Sequence, residues 1–159
     1  DSHLGMCGPV TNSIGNEAKV AVEYHDLDGL EQFAYRYTWA HNGQEFRNVK
    51  ALALFCTMIR KSVIQQCGML DDGYKVGMFE DDDYSEAVRA AGWGMAIVDD
   101  AFVHHQDGAT FKKLDKKKYE TVFKVNLKRF EEKWNKKWEM HSYRPGMTTE
   151  QNKDCLLEI

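Results

Sequence analysis

The sequence predicts a single domain of the α/β or α+β class, with a mixed sheet flanked by helices. Two observations support this class. Short apolar runs bounded by turn-forming residues alternate with longer stretches in which apolar residues recur at helical spacing. In addition, a chain of 159 residues with 43 % hydrophobic and 12 % aromatic residues can enclose a hydrophobic core.

The first third of the chain predicts strand, helix and strand. Residues 4–16 combine a short apolar run with Gly, Pro and Asn, which indicates a strand that leaves into a loop. Residues 49–59 are apolar enough for a buried strand. Residues 26–43 predict a helix that ends at Asn42-Gly43 and carries these apolar residues at helical spacing: Leu30, Phe33, Ala34, Tyr37 and, as a further candidate, Trp39.

The middle of the chain predicts a short helix over residues 61–70, stopped by Gly68, and a loop over 71–77. A second helix begins with the acids that follow and ends at Gly92. Residues 93–108 predict two short strands separated by Asp99-Asp100, because consecutive acids are typical of a turn.

The last predicted helix, over residues 114–138, is basic and amphipathic, and the residues after Pro145 read as a polar tail. Its apolar stripe consists of Tyr119, Val122, Phe123, Leu127, Phe130, Trp134 and Trp138.

The net charge of −4 is unevenly distributed. Residues 112–138 contain 11 Lys or Arg and 4 Asp or Glu, a balance of +7, so the other residues carry −11. The basic face is either a solvated helix surface or a surface attracted to anionic lipid head groups. Nucleic acid is not expected as a partner, because the chain is acidic overall and the aromatic residues of the stripe belong to the core.

Several classes of protein are disfavoured by the pattern. The four cysteines form no C-x-x-C pair, which argues against a zinc site or a dense disulfide framework. No run of about 18 apolar residues and no signal-peptide pattern is found. We therefore expect a soluble, cytoplasmic protein.

Four consecutive acids, Glu80 to Asp83, stand directly before a segment with helical apolar spacing. One interpretation is a helix start, because carboxylates in a first turn interact favourably with the helix dipole. The other is a catalytic or metal-binding cluster.

Helix geometry separates these acids into two pairs. The face predicted to pack inward carries Tyr84, Ala87, Val88 and Ala91 together with Glu80 and Asp81, and the outward face carries Asp82, Glu86 and Arg89. Inward acids must be paired, metal-bound or functional. Capping is therefore favoured for Asp82 and Asp83, and a functional role for Glu80 and Asp81.

His104 and His105 are adjacent near a predicted strand end. Adjacent histidines in such a place are more often packing or surface residues than ligands. Because neighbours on a strand point to opposite faces, only one of them can bind a given ion.

Four segments in this order resemble the carboxyl-terminal half of a family 2 glycosyltransferase of the GT-A fold. They are GPVTNSIGNEAKV (8–20), FCTMIRKSVIQQCGMLDDGYKVGMFEDDDYSEAVRAAGW (55–93), FVHHQDGATF (102–111) and NLKRFEEKW (126–134). The resemblance implies transfer of a sugar, usually with inversion, from a nucleoside diphosphate donor to a saccharide or lipid-linked acceptor hydroxyl. Bacterial surface polysaccharide synthesis at the inner face of the membrane is the implied setting.

The resemblance implies a role for individual residues. Asp81 matches the Asp of the family's E-D pair and would be the catalytic base, with Glu80 as its partner. Val103, His105 and Thr110 match a V-x-H segment followed by Ser or Thr, so His105 is expected near the metal ion and the diphosphate. Substrate binding is expected of Asp83, Thr110 and Asn12. Many relatives have an Arg at the position of Ala87. Because this chain has Ala there, the role of that Arg cannot be assigned to it.

The implied cofactor is Mg²⁺ or Mn²⁺, which the family holds with a D-x-D pair. Asp26-Leu27-Asp28 has that spacing, but it lies at a predicted helix start, where capping explains it. The nucleotide-binding units that precede this motif in relatives are also not found.

We therefore expect residues 1–145 to be the acceptor-side portion of a GT-A domain and 146–159 a tail. By itself such a portion is expected to be inactive and to self-associate through the surface left uncovered. The alternative function is a stand-alone binding or regulatory module, in which the acids are caps.

Overall fold

The computed structural model describes residues 1–47, 49–106 and 115–145. Within these ranges the chain forms four strands and four helices. In chain order they are β1 (Leu4–Val10), α1 (Leu27–Ala40), β2 (Glu45–Phe46), β3 (Met58–Ile59), α2 (Lys61–Cys67), α3 (Glu80–Ala90), β4 (Gly94–Phe102) and α4 (Lys116–Trp134).

The strands form one mixed sheet in the order β2-β4-β1-β3. The two long strands, β1 and β4, are parallel, with Cys7 opposite Ala96 and Val10 opposite Phe102. The short strands pair antiparallel at the two edges. The mixed α/β class predicted from the sequence is confirmed. Because parallel strands end at the same sheet edge, the loops that follow β1 and β4 meet there.

Two apolar clusters hold the helices in place. The first lies against the sheet and includes Met6, Val10, Val63, Val88 and Ile97. Since Val63 is on α2 and Val88 on α3, burial of this cluster fixes both helices against the sheet.

The second cluster joins α4 to the segment before α3. The buried residues are Tyr74, Phe79 and Phe130, and Phe123, Leu127 and Trp134 of α4 pack around them together with Trp138, which lies beyond the helix. The helix therefore ends at Trp134, before the predicted residue 138. The stripe predicted from the sequence thus faces the domain. Tyr119, at its start, is 42 % exposed.

Side chains and a glycine mark the ends of three helices, and two of these signals, Asp26 and Gly68, were predicted from the sequence. The Asp26 carboxylate accepts the Gly29 N–H at 2.7 Å, so the first acid of the D-x-D lookalike is the N-cap of α1, as expected. Asp115 caps α4 by accepting two backbone N–H groups. At the end of α2, Gly68 has φ 81°, a left-handed conformation that glycine adopts without strain.

The buried strand predicted over residues 49–59 is wrong except at Met58–Ile59. Ala51 and Leu52 are buried as expected. Their backbone groups, however, bond to side chains instead of a neighbouring strand. The Asn16 amide donates to the Ala51 carbonyl at 3.1 Å, and the Leu52 N–H donates to the Ser85 hydroxyl at 3.1 Å. These bonds provide partners for the buried Ala51 carbonyl and Leu52 N–H in place of a neighbouring strand.

The prediction of two strands separated by Asp99-Asp100 is also wrong, because β4 continues through both residues. Asp99 is buried and forms a two-point ion pair with Arg144, at 2.6 and 2.9 Å. Asp100 accepts the Gly43 N–H at 3.0 Å. Partners from other parts of the chain therefore allow these acids to remain in an extended strand.

Trp39, considered for the inward face of α1, is 76 % exposed. Phe33 and Tyr37 are the α1 residues that pack against the sheet cluster. The helix itself ends at Ala40, slightly before the predicted Asn42-Gly43. The predicted tail, 146–159, lies outside the described residues.

The basic face of α4 is used partly within the domain. Arg129 and Lys133 both bind Asp71, and the hydrogen bond from Arg129, with further help from the Gly73 N–H and Lys133, lowers the pKa of Asp71 to about 2. Lys136, just after the helix, pairs with Glu86. Among the described helices, none is long and apolar enough to cross a membrane. Contact of residues 114–138 with a lipid surface stays a prediction.

Candidate active site

An unusual backbone segment delivers the four acids. Val76, Gly77, Met78 and Phe79 all have positive φ, between 72° and 94°, and Phe79 is the residue directly before α3. Positive φ costs free energy in residues other than glycine, most of all in a β-branched Val. Such strain persists only where surrounding contacts impose it, and it is frequent at functional sites.

Asn126 of α4 supplies the supporting contacts. It is 2 % exposed, and its amide donates to the carbonyl oxygens of Gly77 and Met78 at 2.9 and 3.1 Å. Sequence reasoning missed this residue. Its signal was a polar side chain at helical spacing between the apolar residues of the stripe, where a buried amide must bond to something specific.

Asp81 is partly buried at the start of α3, and its carboxylate accepts the Asp82 N–H at 2.9 Å. Burial, followed by the negative charges of Asp82 and Glu80, raises the pKa of Asp81 to about 6. The hydrogen bond from the Asp82 N–H and the nearby His141 act in the opposite direction. A carboxyl group with this pKa can take up and release a proton near neutral pH.

Glu80 lies beside Asp81 and is half-buried. Its Oε2 atom is buried and has no hydrogen-bond partner among the described residues. A buried carboxylate oxygen without a partner is uncommon in proteins and is suited to a ligand hydroxyl or water. Both members of the predicted pair, Glu80 and Asp81, are therefore partly buried, and neither is a simple surface cap.

The outward position predicted for Asp82 is wrong. Residues 135–145, which follow α4 and which we call the post-α4 segment, cross over this side of α3. The Asp82 Oδ1 atom accepts the Trp138 Nε1–H at 3.0 Å and lies 3.0 Å from His141 Nε2. Only 13 % of the Asp82 side chain is exposed. Helix periodicity placed Asp82 away from the sheet, but it could not reveal a later segment on the opposite face.

Asp83 is 3 % exposed and its carboxylate is fully engaged. Lys133 binds one oxygen at 2.7 Å, and the other accepts from the Tyr74 hydroxyl at 3.1 Å and Trp134 Nε1 at 2.8 Å. These contacts fasten α4 to α3 and favour a structural role. Substrate binding by Asp83 stays a prediction.

His105 lies in the loop after β4 and is held by the loop after β1. Its N–H donates to the Asn12 side-chain oxygen at 2.7 Å, and the Asn12 amide donates back to the His105 carbonyl at 3.2 Å. His105 Nδ1 lies 2.8 Å from the Ser13 carbonyl, and the ring stacks on Phe55 at 4.8 Å. A carbonyl can only accept, so Nδ1 carries a proton, and in the neutral imidazole the lone pair is on Nε2.

Asn12 was predicted to bind substrate. The structure buries it completely, with its side chain paired to the backbone of His105. These contacts favour a role in positioning His105, and direct substrate contact stays a prediction. Thr110 lies outside the described residues.

His104 has a different environment from its neighbour. Its Nδ1 atom lies 2.6 Å from the hydroxyl of the buried Tyr24, and its Nε2 atom lies 3.1 Å from the Gln106 side-chain oxygen. Both ring nitrogens therefore have protein partners. This pattern agrees with the expectation that His104 is a packing residue.

Among residues 1–47, 49–106 and 115–145, no hydrogen bond or ion pair joins His105 to the acids of α3. The loop over residues 11–20 links the two regions, since Ser13 contacts His105 and the charge of Glu17 acts on His141. Within the described part of the chain, no group of three or more His, Cys, Asp or Glu could hold a metal ion. His105 alone cannot hold Mg²⁺ or Mn²⁺, which need several oxygen ligands.

The family model described as "Glycosyltransferase like family 2" matches residues 7–122, from β1 into α4. The chain belongs to this family. No significant match is found among curated proteins. Membership covers the segment that carries the acids and His105, and it favours glycosyl transfer over a stand-alone binding or regulatory module. Family 2 glycosyltransferases use nucleotide-sugar donors and acceptors and commonly depend on a divalent metal ion.

Proposed function

We propose that this glycosyltransferase domain catalyses inverting transfer of a sugar from a nucleoside diphosphate donor to an acceptor hydroxyl, with Asp81 as the general base. The observation that supports this proposal is the partly buried Asp81 carboxyl, whose pKa is raised to about 6 and which stands at the start of α3 after a strained backbone segment. A base is most effective when its pKa lies near the working pH.

The reaction is a single displacement. The acceptor oxygen attacks the anomeric carbon of the donor sugar while its proton passes to the Asp81 carboxylate. The bond from that carbon to the diphosphate breaks, and the nucleoside diphosphate leaves with the electron pair. Attack opposite the leaving group inverts the anomeric carbon. The unpartnered Glu80 oxygen is positioned to accept a hydrogen bond from the acceptor sugar.

We propose a saccharide or lipid-linked acceptor of a bacterial surface polysaccharide. A bound divalent ion would neutralise charge on the leaving diphosphate. The described residues form no such site, so they would supply one ligand, His105, whose ring is oriented by the bond from Nδ1–H to the Ser13 carbonyl.

The pH dependence of transfer tests the base. We expect kcat/KM to rise with pH through an inflection near pH 6, because only ionised Asp81 can accept the proton. The measurement is an initial-rate series from about pH 5 to pH 8 at saturating metal, in an enzyme preparation that contains these residues. Asp28→Asn, which changes an exposed acid in the first turn of α1, should keep the inflection. A rate that does not change across this range would contradict the assignment.

Substitutions of His105 and His104 are expected to affect ligand binding and thermal stability, respectively. His105→Ala should weaken Mn²⁺-dependent binding of a nucleoside diphosphate by about tenfold or more, because a ligand held by its own hydrogen-bond partners is lost. His104→Ala should leave binding intact and lower the melting temperature, since it removes the contact with Tyr24. Calorimetric titration and thermal unfolding measure the two effects. The reverse pattern would show that His105 is the packing residue.

A further inference from the structure

The post-α4 segment is attached to the domain at several points. Arg144 forms its two-point ion pair with Asp99 and also donates from Nε to the Glu17 carbonyl at 2.7 Å. Trp138 packs edge-on against Phe79, with ring centroids 5.2 Å apart. The segment is therefore anchored to the sheet at one end and to the apolar cluster at the other. His141 lies between these anchors.

His141 carries the imidazole of this segment and lies against the Asp82 carboxylate of α3. Its side chain is 18 % exposed, and its Nε2 atom lies 3.0 Å from Asp82 Oδ1. The Trp138 indole donates to the same oxygen, and the two rings meet edge to face at 5.9 Å. Asp82 and His141 also line a cleft of about 290 Å³. The imidazole is thus held in one orientation against a carboxylate that directly follows Asp81.

The charges around His141 come from two elements. Asp81 and Asp82 belong to α3, and Glu17 belongs to the loop after β1. The charges of Asp82, Glu80 and His141 in turn act on the pKa of Asp81. The other charged groups that line the cleft have partners of opposite charge: Lys136 pairs with Glu86, Lys50 with Glu139 and Lys137 with Glu131. His141 is therefore the group that can offset the negative charge next to Asp81.

We propose that His141 is a positioning residue for the catalytic base, which holds the Asp82 carboxylate through Nε2–H and places a compensating positive charge beside Asp81. The proposal rests on the proposed function of Asp81. In this arrangement the Asp82 carboxylate is occupied by His141 and Trp138, so the proton from the acceptor goes to Asp81. The segment after α4 thereby becomes part of the active site.

The direction of the pKa shifts agrees with this geometry. Burial alone lowers the pKa of His141, but its hydrogen bond to Asp82 and the charges of Asp82, Asp81 and Glu17 outweigh burial, so the pKa is raised above its ordinary value. By reciprocity, protonated His141 favours the ionised form of Asp81.

The test is a carboxyl-carbon NMR titration of the 159-residue chain and of His141→Gln, with the exposed His25→Gln as the matched control. Gln can still donate to Asp82 but carries no charge. We expect the apparent pKa of Asp81 to rise by about one unit in His141→Gln and to be unchanged in His25→Gln. An unchanged Asp81 pKa in a folded His141→Gln chain would overturn the proposal.

A second titration keeps the test independent of how His141→Gln folds. In Asp82→Asn, the imidazole resonances of His141 should report a pKa lower by about one unit than in the parent chain. An unchanged value would show that His141 and Asp82 are not coupled.

Activity provides the readout that separates this inference from the proposed function. In His141→Gln the rate should fall by about fivefold at pH 6 and recover at high pH, because the inflection moves upward by about one unit. A loss of equal size at every pH would indicate a structural role only and would overturn the inference. If Asp81→Asn retains full activity while the NMR coupling is present, the proposed function fails and the coupling remains.

Discussion

Asp81→Asn is expected to lower the turnover of glycosyl transfer by about 10²- to 10⁴-fold, the usual contribution of a positioned general base. The amide is nearly the same size and can still accept the Asp82 N–H that the carboxylate accepts in the parent. It cannot take a proton from the acceptor. Donor binding should change little, because no donor contact is assigned to this side chain.

The same substitution should stabilise the fold at pH 7. The pKa of Asp81 is about 6 in the folded chain and 3.8 in the absence of burial and neighbouring charges. The folded state therefore binds the proton more tightly than the unfolded state. The stabilisation of the fold by protonated Asp81 is fully present below pH 3.8 and is lost as pH rises through 6. At pH 7 the ionised group costs about 2 to 3 kcal/mol, which Asn removes.

Turnover, calorimetric donor binding and urea unfolding of the parent and Asp81→Asn measure these effects. Asp28→Asn is the matched control, because Asp28 is an exposed acid in the first turn of another helix. It should change neither rate nor stability by a measurable amount. Equal turnover of Asp81→Asn and the parent would remove Asp81 from the role of base. Lower stability at pH 7 would show that the carboxylate is favourably solvated or paired in the fold.

Local signals in the sequence predicted the presence of the four helices. Asp26 and Gly68 act at helix ends through contacts with residues at most four positions away, so composition and spacing reveal them. The different environments of His104 and His105 were expected from the alternation of side chains in extended backbone. For α3, helical periodicity correctly placed Tyr84 and Val88 in the core.

Long-range partners determine the features that the sequence did not reveal. Asp99 stays in a strand because Arg144, 45 residues later, neutralises it, and Trp138 reaches Asp82 across 56 residues. Positive φ at Val76 and Met78 likewise has no local signal, since those residue types favour other conformations. Helical periodicity predicts which face of α3 packs on the sheet. It could not predict that α4 covers Asp83 and that the post-α4 segment covers Asp82.

Asp83→Ala is expected to lower the free energy of unfolding by about 3 to 4 kcal/mol. The substitution removes the carboxylate that three groups bind in the parent: the Lys133 ammonium, the Tyr74 hydroxyl and the Trp134 indole. Buried polar groups that lose their partner account for most of the cost. Lys133 is 38 % exposed and also binds Asp71, which limits the loss to the lower part of the range for a broken buried pair.

Urea unfolding followed by tryptophan fluorescence measures this effect, with Asp72→Ala as the control because Asp72 is an exposed acid in the preceding loop. The control should stay within about 0.5 kcal/mol of the parent. A loss below about 1 kcal/mol for Asp83→Ala would contradict a structural role. In that case, impaired donor or acceptor binding would favour the substrate contact predicted from the sequence. With the structural role, activity should also fall, because α4 carries Asn126, which supports the backbone directly before Glu80 and Asp81.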